Sequence, residues 1–96
     1  MAILAVDFDG TLQLKDGAAN IPLISRLNVC QRHGDTVILW TCRSGKRLAE
    51  AVQFCATNGL HPNYVNDNAP QVVRRLGANP RKIYADMYID DKGWCP

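Results

Sequence analysis

Ile3-Leu4-Ala5-Val6-Asp7-Phe8-Asp9-Gly10-Thr11 is the stretch that decides the fold, because it joins an apolar run to a polar turn. An apolar run of this length is typical of a strand that is buried on both faces of a parallel sheet. Two carboxylates follow the run at once. Since ligands of open α/β sheets bind beyond the carboxyl ends of the strands, we expect a functional site directly after Val6.

Apolar strands and amphipathic helices alternate along the rest of the chain. Further strands are predicted at Val37–Trp40, at Tyr64–Val65 and from Ile83 to Ile89. Three helices are predicted between the strands, each bounded by a capping residue and a glycine: Asn20 to Gly34, Ser44 to Gly59 and Asn68 to Gly77. This alternation predicts one α/β domain over residues 1–96, a minimal three-layer Rossmann-like fold with about four parallel strands.

Composition narrows the class of protein. The chain is 47% apolar and 21% charged, which excludes a disordered or fibrous protein. No apolar run reaches the roughly 18–20 residues that cross a membrane, and the first residues do not form a signal peptide, so we expect no membrane partner. The four cysteines show no metal-binding spacing. We therefore expect a cytoplasmic protein with reduced cysteines.

Basic residues are concentrated in the middle of the chain. Residues 43–82 carry seven basic side chains against two acidic ones, whereas the net charge of the whole chain is +2. This bias favours an anionic partner, either a phosphorylated small molecule or a nucleic-acid end. A basic surface that only faces solvent explains the same bias, and both interpretations stay open.

Polar residues follow the other predicted strands as well. Thr41 ends the second strand, and Asp90 and Asp91 end the last one. Together with the two aspartates after Val6, four carboxylates would meet at one edge, where their repulsion requires a cation. Oxygen donors beside a phosphate favour Mg²⁺. Thr41 and the first amides of the second helix would bind phosphate oxygens, and Gly10 would let the backbone approach the substrate.

Asp7 and Asp9 suggest a covalent reaction. Residues two apart in a continued strand point the same way, so both carboxylates would reach one substrate. One can attack phosphorus while the other protonates the leaving oxygen, which gives an aspartyl-phosphate intermediate. The transition state also needs a cation, for which Lys82, Arg81 and Arg43 are the candidates.

Two residues beside Thr41 are interpreted as packing residues. Trp40 ends an apolar strand and is expected to pack in the core. Cys42 is either a redox-sensitive thiol or a buried cysteine at the end of the strand, and burial is the preferred interpretation.

These motifs resemble those of the haloacid dehalogenase-like superfamily of Mg²⁺-dependent phosphatases and phosphotransferases. Asp7–Thr11 resembles its first motif, DxDGT, and Val37–Thr41 resembles its second, an apolar strand that ends in Thr or Ser. Ile89–Asp91 resembles the DD form of its fourth motif. The resemblance spans residues 3–91 and implies a phosphohydrolase of that fold.

The resemblance assigns roles to the carboxylates. Asp7 would be the nucleophile and a metal ligand. Asp9 would be the general acid and base, and its backbone carbonyl would also bind Mg²⁺. Asp90 would bind the metal directly, and Asp91 directly or through water.

The resemblance also assigns the phosphate-binding groups. Thr41 would bind the transferring phosphoryl group, and Lys82 is the best match to the single lysine of the third motif. Arg43 resembles the additional phosphate-binding arginine of the polynucleotide-phosphatase-like branch.

The chain departs from the family pattern in two places. Residues 10–20 are too few for an inserted cap domain, which implies a capless enzyme with an open site. The chain stops five residues after Asp91, where family members continue. A homo-oligomer that covers the exposed sheet edge is therefore expected.

Two other functions are compatible with the sequence. A phospho-acceptor signalling module, such as a response-regulator receiver, uses the same Asp, Thr, Lys and Mg²⁺. Its acceptor aspartate lies on a middle strand, however, without an acid two residues later. The second alternative, a truncated non-catalytic interaction subunit, is favoured only by the short C-terminus.

Overall fold

The elements follow one another in the predicted alternation. The computed structural model describes the backbone of residues 1–79, 83–91 and 93–95, with side chains for the first two ranges. In chain order the elements are β1 (Ile3–Asp7), α1 (Ile21–Arg32), β2 (Thr36–Trp40), α2 (Gly45–Thr57), β3 (Tyr64–Val65), α3 (Pro70–Leu76), β4 (Met87–Asp90) and β5 (Gly93–Cys95).

The strands form one sheet in the order β3-β2-β1-β4-β5. Strands β1 to β4 are parallel, which confirms the predicted Rossmann-like sheet. Strand β5, which is absent from the sequence-based prediction, pairs antiparallel to β4. Strand order reverses beside β1, with β2 and β3 on one side and β4 on the other. A reversal of this kind leaves a crevice at the carboxyl ends of the strands.

The sheet is covered on both faces, as the three-layer prediction requires. Alternate strand residues point to opposite faces. On one face Val6 and Leu39 pack with Leu27 of α1 and Cys55 of α2. On the other face, Val72 of α3 lines a cavity with Ile3. Connections between parallel strands are right-handed, so the connecting helix lies on the opposite face of the sheet when the chain moves across the sheet in the opposite direction. Helix α3 connects β3 to β4, across the reversal of strand order, and therefore lies on the other face.

Capping residues define the helix ends. The Asn20 side chain accepts a hydrogen bond from the Leu23 amide at 3.4 Å, as expected of an N-cap. Gly77 ends α3 in the left-handed conformation, with φ of 74°. Helix α3 begins after Ala69 rather than at Asn68, because the Asn68 side chain accepts a hydrogen bond from the Tyr84 amide instead. In the described residues, no helix combines the length and apolar character that a membrane span requires.

Strand β4 is shorter than predicted. It begins at Met87, although the apolar run begins at Ile83. The amides of Tyr84 and Ala85 donate to the side chains of Asn68, at 2.7 Å, and Tyr88, at 3.2 Å. Because side chains take these two amides, Tyr84 and Ala85 lie outside the ladder of the sheet, whereas the Asp86 amide already donates to the Ile3 carbonyl of β1 at 2.8 Å.

The loop between β1 and α1 contains no inserted domain. It is held by isolated bridges that pair Asp9 with Gln13 and Gln13 with Ala19. The Leu12 side chain is buried against the core. The capless prediction is therefore confirmed.

The far edge of β4 is paired within the chain. Tyr88, Ile89 and Asp90 pair with the three residues of β5. The edge for which a second copy was expected is therefore covered by β5, and the outer edges of the sheet are the short strands β3 and β5.

Candidate active site

Asp7 lies between the ends of two neighbouring strands. It pairs with Trp40 in the register of β1 and β2. On the other side Val6 pairs with Ile89, and Asp90 follows directly. Asp7 therefore lies where the strand order reverses, which is the position predicted for a ligand site.

A cleft of about 320 Å³ opens at this edge, and we call it the carboxylate cleft. The residues that line it are Asp7, Trp40, Thr41, Cys42, Asp90 and Asp91. Its volume falls in the usual range of small-molecule sites, roughly 300–1,000 Å³. The structure thus brings together four of the predicted site residues: Asp7, Thr41, Asp90 and Asp91.

The Asp7 carboxyl lies in surroundings that disfavour its charge. Burial raises its pKa above the usual 3.8, and the negative charges of Asp9, Asp91 and Asp90 raise it further. A hydrogen bond from the Phe8 amide, at 2.9 Å, acts in the opposite direction. The raised pKa means that the cleft favours a neutral group or a bound cation at this position.

The donor chemistry of the carboxylate cleft fits a hard divalent cation. Carboxylate oxygens are the ligands that Mg²⁺ prefers, and a cation there would relieve the repulsion on Asp7. In the part of the chain that the structure describes, no three His, Cys, Asp or Glu side chains stand together as a metal-binding group. The Mg²⁺ site stays a prediction.

Asp9 is not among the residues that line the carboxylate cleft. Strand β1 ends at Asp7, so the alternation expected of a continued strand does not extend to Asp9. Its two carboxylate oxygens accept hydrogen bonds from Arg43, at 2.7 Å from Nη2 and 3.0 Å from Nε. Arg43 lowers the pKa of Asp9, so the carboxylate is ionised and paired.

Arg43 is also held in place by an aromatic ring. Its guanidinium lies 4.8 Å from the centre of the Phe8 ring, and that ring packs edge-on against Phe54. Its side chain is only 14% exposed, whereas that of Asp9 is 55% exposed. The arginine predicted to bind phosphate is therefore occupied by Asp9, outside the carboxylate cleft.

Thr41 is fixed by hydrogen bonds to its amide and its hydroxyl. Its amide donates to the Asn66 side chain at 2.8 Å, and its hydroxyl accepts from the Arg43 amide at 3.2 Å. Asn66 has a φ of 51°, in the left-handed region that Asn tolerates better than most residues. The sequence analysis did not identify Asn66. The available signal was an asparagine directly after a short predicted strand.

Helix α2 begins four residues after Thr41. Ser44 occupies the N-cap as predicted, but its side chain makes no capping hydrogen bond. The first amides of a helix have no partner within the helix, so an uncapped start leaves them for another acceptor.

Gly10 lies in a second cleft, of about 370 Å³, which we call the α1 cleft. Asn20 and Arg26 line it, and Asp90 and Asp91 line it as well as the carboxylate cleft. Gly10 has a φ of 78°, and a Cβ there would lie 3.5 Å from the Asp91 Cβ. The glycine allows the turn after β1 and does not line the carboxylate cleft.

The interpretation of Trp40 and Cys42 as packing residues was wrong. Trp40 is 41% exposed, Cys42 is exposed, and both line the carboxylate cleft. Trp40 is the last residue of β2 and Cys42 lies beyond its end, so both residues lie at the edge of the sheet rather than in the core. Lys82 and Arg81 lie outside the described residues, and the assignment of the cation stays a prediction.

Comparison with known proteins gives one informative match. No family model matches the chain, and no curated protein matches it. A solved structure of a conserved protein from Bacteroides thetaiotaomicron aligns with a TM-score of 0.74 and 33% sequence identity. The alignment covers 96% of this chain and 77% of that protein. The fold is therefore shared over nearly the whole chain.

Proposed function

We propose that this chain, which belongs to the same family as the conserved Bacteroides thetaiotaomicron protein, is a Mg²⁺-dependent phosphohydrolase that cleaves a phosphomonoester. The observation that carries the proposal is the carboxylate cleft. It is lined by Asp7, Asp90, Asp91 and Thr41, at the point where strand order reverses. The resemblance of the motifs to the haloacid dehalogenase-like superfamily supports the same reaction.

Asp7 is the proposed nucleophile. Its carboxylate attacks phosphorus, the bond from phosphorus to the leaving oxygen breaks, and an aspartyl-phosphate forms on Asp7. Thr41 donates its hydroxyl hydrogen to a phosphoryl oxygen. Water then attacks the phosphorus of the intermediate, releasing phosphate and restoring the Asp7 carboxylate.

Asp9 is the proposed acid and base. It takes up a proton from solvent before the first step, gives that proton to the leaving oxygen, and takes one from water in the second step. In the structure Arg43 pairs with Asp9, so this role requires the ion pair to open. A phosphate oxygen is a suitable replacement partner for the guanidinium. Arg43 would then bind the substrate, and Lys82 is the proposed further cation.

Asp7, Asp90, Asp91 and the backbone carbonyl of Asp9 are the groups proposed to hold Mg²⁺. Bound there, the ion would neutralise the carboxylates and the phosphoryl oxygens. The free cysteines Cys30, Cys42 and Cys55 favour the reducing cytoplasm as the compartment.

Hydrolysis of an aryl phosphate, with and without Mg²⁺, tests the proposal. We expect Mg²⁺-dependent turnover that EDTA stops, and Asp7→Asn should lower it to below about a thousandth because no nucleophile is left. Asp16→Asn is the matched control, since Asp16 is an exposed carboxylate in the loop before α1.

Two results would contradict the proposal. Full activity in Asp7→Asn would exclude the covalent route through this residue. A long-lived phosphoprotein in the unmodified chain, without turnover, would instead favour the signalling module.

A further inference from the structure

The Trp40 side chain lies beside the proposed nucleophile. Residues paired across parallel strands point to the same face of the sheet, and Trp40 pairs with Asp7. Both side chains line the carboxylate cleft. The indole is 41% exposed, which leaves part of its surface open to the cleft.

The indole is held by a fixed neighbour. The Trp40 and Tyr88 rings meet edge-on, with 5.7 Å between their centres. The strand between them, β1, contributes only the small Ala5 at the register position that pairs with Tyr88. Tyr88 is itself anchored, because its hydroxyl donates to the Ile83 carbonyl at 2.6 Å and accepts from the Ala85 amide at 3.2 Å. A binding surface held in this way loses little conformational entropy when a ligand packs on it.

The two sides of the carboxylate cleft differ in chemistry. Asp7, Asp90 and Asp91 form the polar end, where the phosphoryl group is proposed to react. The other end, toward β2, is lined by Trp40, Thr41 and Cys42, of which the Trp40 indole is the large apolar group. A ligand that matches both ends has a phosphoryl group and a flat apolar group within one short molecule.

We propose that Trp40 is a stacking surface that selects phosphomonoesters carrying a flat aromatic ring, as in a nucleoside monophosphate or an aryl phosphate. The inference rests on the proposed function for the position of the phosphoryl group. The ring is recognised by stacking on the indole, which tolerates different bases because every base has a π-face. Trp40 is thus a specificity-determining residue.

Binding to the Asp7→Asn protein tests the inference without turnover. Titration calorimetry with Mg²⁺ present would compare AMP with ribose 5-phosphate, in which a hydroxyl replaces the base, and phenyl phosphate with methyl phosphate. We expect the aromatic member of at least one pair to bind more tightly. Trp40→Ala should weaken that ligand about tenfold or more, the usual scale of one stacked base, and leave its partner unchanged.

Further variants separate stacking from general packing. Trp40→Leu keeps apolar volume without an aromatic face and should behave like Trp40→Ala, whereas Trp40→Phe should keep part of the preference. Tyr84→Ala is the matched control, because Tyr84 is 39% exposed but lies outside both clefts. Circular dichroism would confirm that each variant is folded.

The outcomes distinguish this inference from the proposed function. Trp40-dependent binding of an aromatic phosphate supports stacking even if the unmodified chain hydrolyses nothing. A preference for AMP alone identifies a ring carried on a sugar, and a preference for phenyl phosphate alone identifies a ring bonded to the phosphate oxygen. Equal binding within both pairs, or equal losses in Trp40→Leu for aromatic and non-aromatic ligands, would overturn the inference even in an active phosphatase.

Discussion

Asp7 is partly buried and has three acidic neighbours, so ionisation of its carboxyl is unfavourable in the folded chain. The raised pKa means that ionisation is less favourable in the folded state than in the unfolded state. The contribution of Asp7 to stability is greatest below its usual pKa of 3.8 and is lost as the pH rises through the higher folded value. At neutral pH the ionised Asp7 carboxylate is therefore less favourable to the fold than a neutral group would be.

We predict that Asp7→Asn raises the melting temperature at pH 7 in metal-free buffer, because the amide removes the unfavourable charge. The gain should shrink as the pH falls toward 3.8, where the carboxyl of the unmodified chain is protonated. Thermal unfolding followed by circular dichroism across this pH range measures the difference. Asp16→Asn should show no such gain, and a lower melting temperature for Asp7→Asn at pH 7 would contradict the prediction.

Added Mg²⁺ should stabilise the unmodified chain more than Asp7→Asn, because a ligand that binds only the folded state raises its stability. The same unfolding experiment with millimolar Mg²⁺ measures this. An equal shift in both proteins would argue against Asp7 as a metal ligand.

At the residue scale, the sequence predicted the position of Asp7 but not the position of Asp9. An apolar strand that ends in an aspartate places that aspartate at the sheet edge. Asp9 lies past the end of the strand, and its partner Arg43 is 34 positions away in the chain. No local pattern predicts such a pairing, because it depends on how the turn after β1 meets the start of α2.

Strand β3 shows how side chains extend a short element. It has only two residues, yet asparagines on both sides continue its attachment to β2. The Asn63 side chain accepts from the Val37 amide at 2.8 Å, and the Asn66 side chain accepts from the Thr41 amide at the same distance. The end of β2 that carries Thr41 is therefore held by Asn66.

We predict that Asn66→Ala lowers the free energy of unfolding by about 2–3 kcal/mol, because it loses the hydrogen bond and strains a left-handed backbone. Asn66→Gly keeps the φ of 51° without strain and should cost about 1–2 kcal/mol. Urea denaturation measures both variants. Equal losses in the two variants would show that the backbone conformation contributes nothing to stability. If Thr41 binds the substrate, both variants should also raise KM for a phosphate ester.

At the element scale, apolar runs predicted the existence of the strands and helices better than their boundaries. The run from Ile83 reads as one strand, but the side chains of Asn68 and Tyr88 take the amides of Tyr84 and Ala85. The Asn68 contact spans 16 positions, so no short window of sequence contains it.

At the scale of the whole molecule, β5 closes a sheet that would otherwise end at β4. An open edge offers unpaired amides and carbonyls to another chain. Removing residues 93–96 should therefore expose β4 and promote association. Sedimentation velocity over a range of concentrations would detect it, with removal of Pro96 alone as the control. A truncated chain that stays monomeric at every concentration would contradict the prediction.

The α1 cleft and the carboxylate cleft share Asp90 and Asp91 as a common wall. A ligand that fixes either carboxylate from one side changes the field and the geometry met by a ligand on the other. Thermodynamic linkage makes this effect reciprocal: each occupant alters the affinity of the other by the same factor. Ligands in the two clefts would therefore be coupled through the side chains of Asp90 and Asp91, and a molecule bound beside α1 would act as an effector of whatever binds next to Asp7.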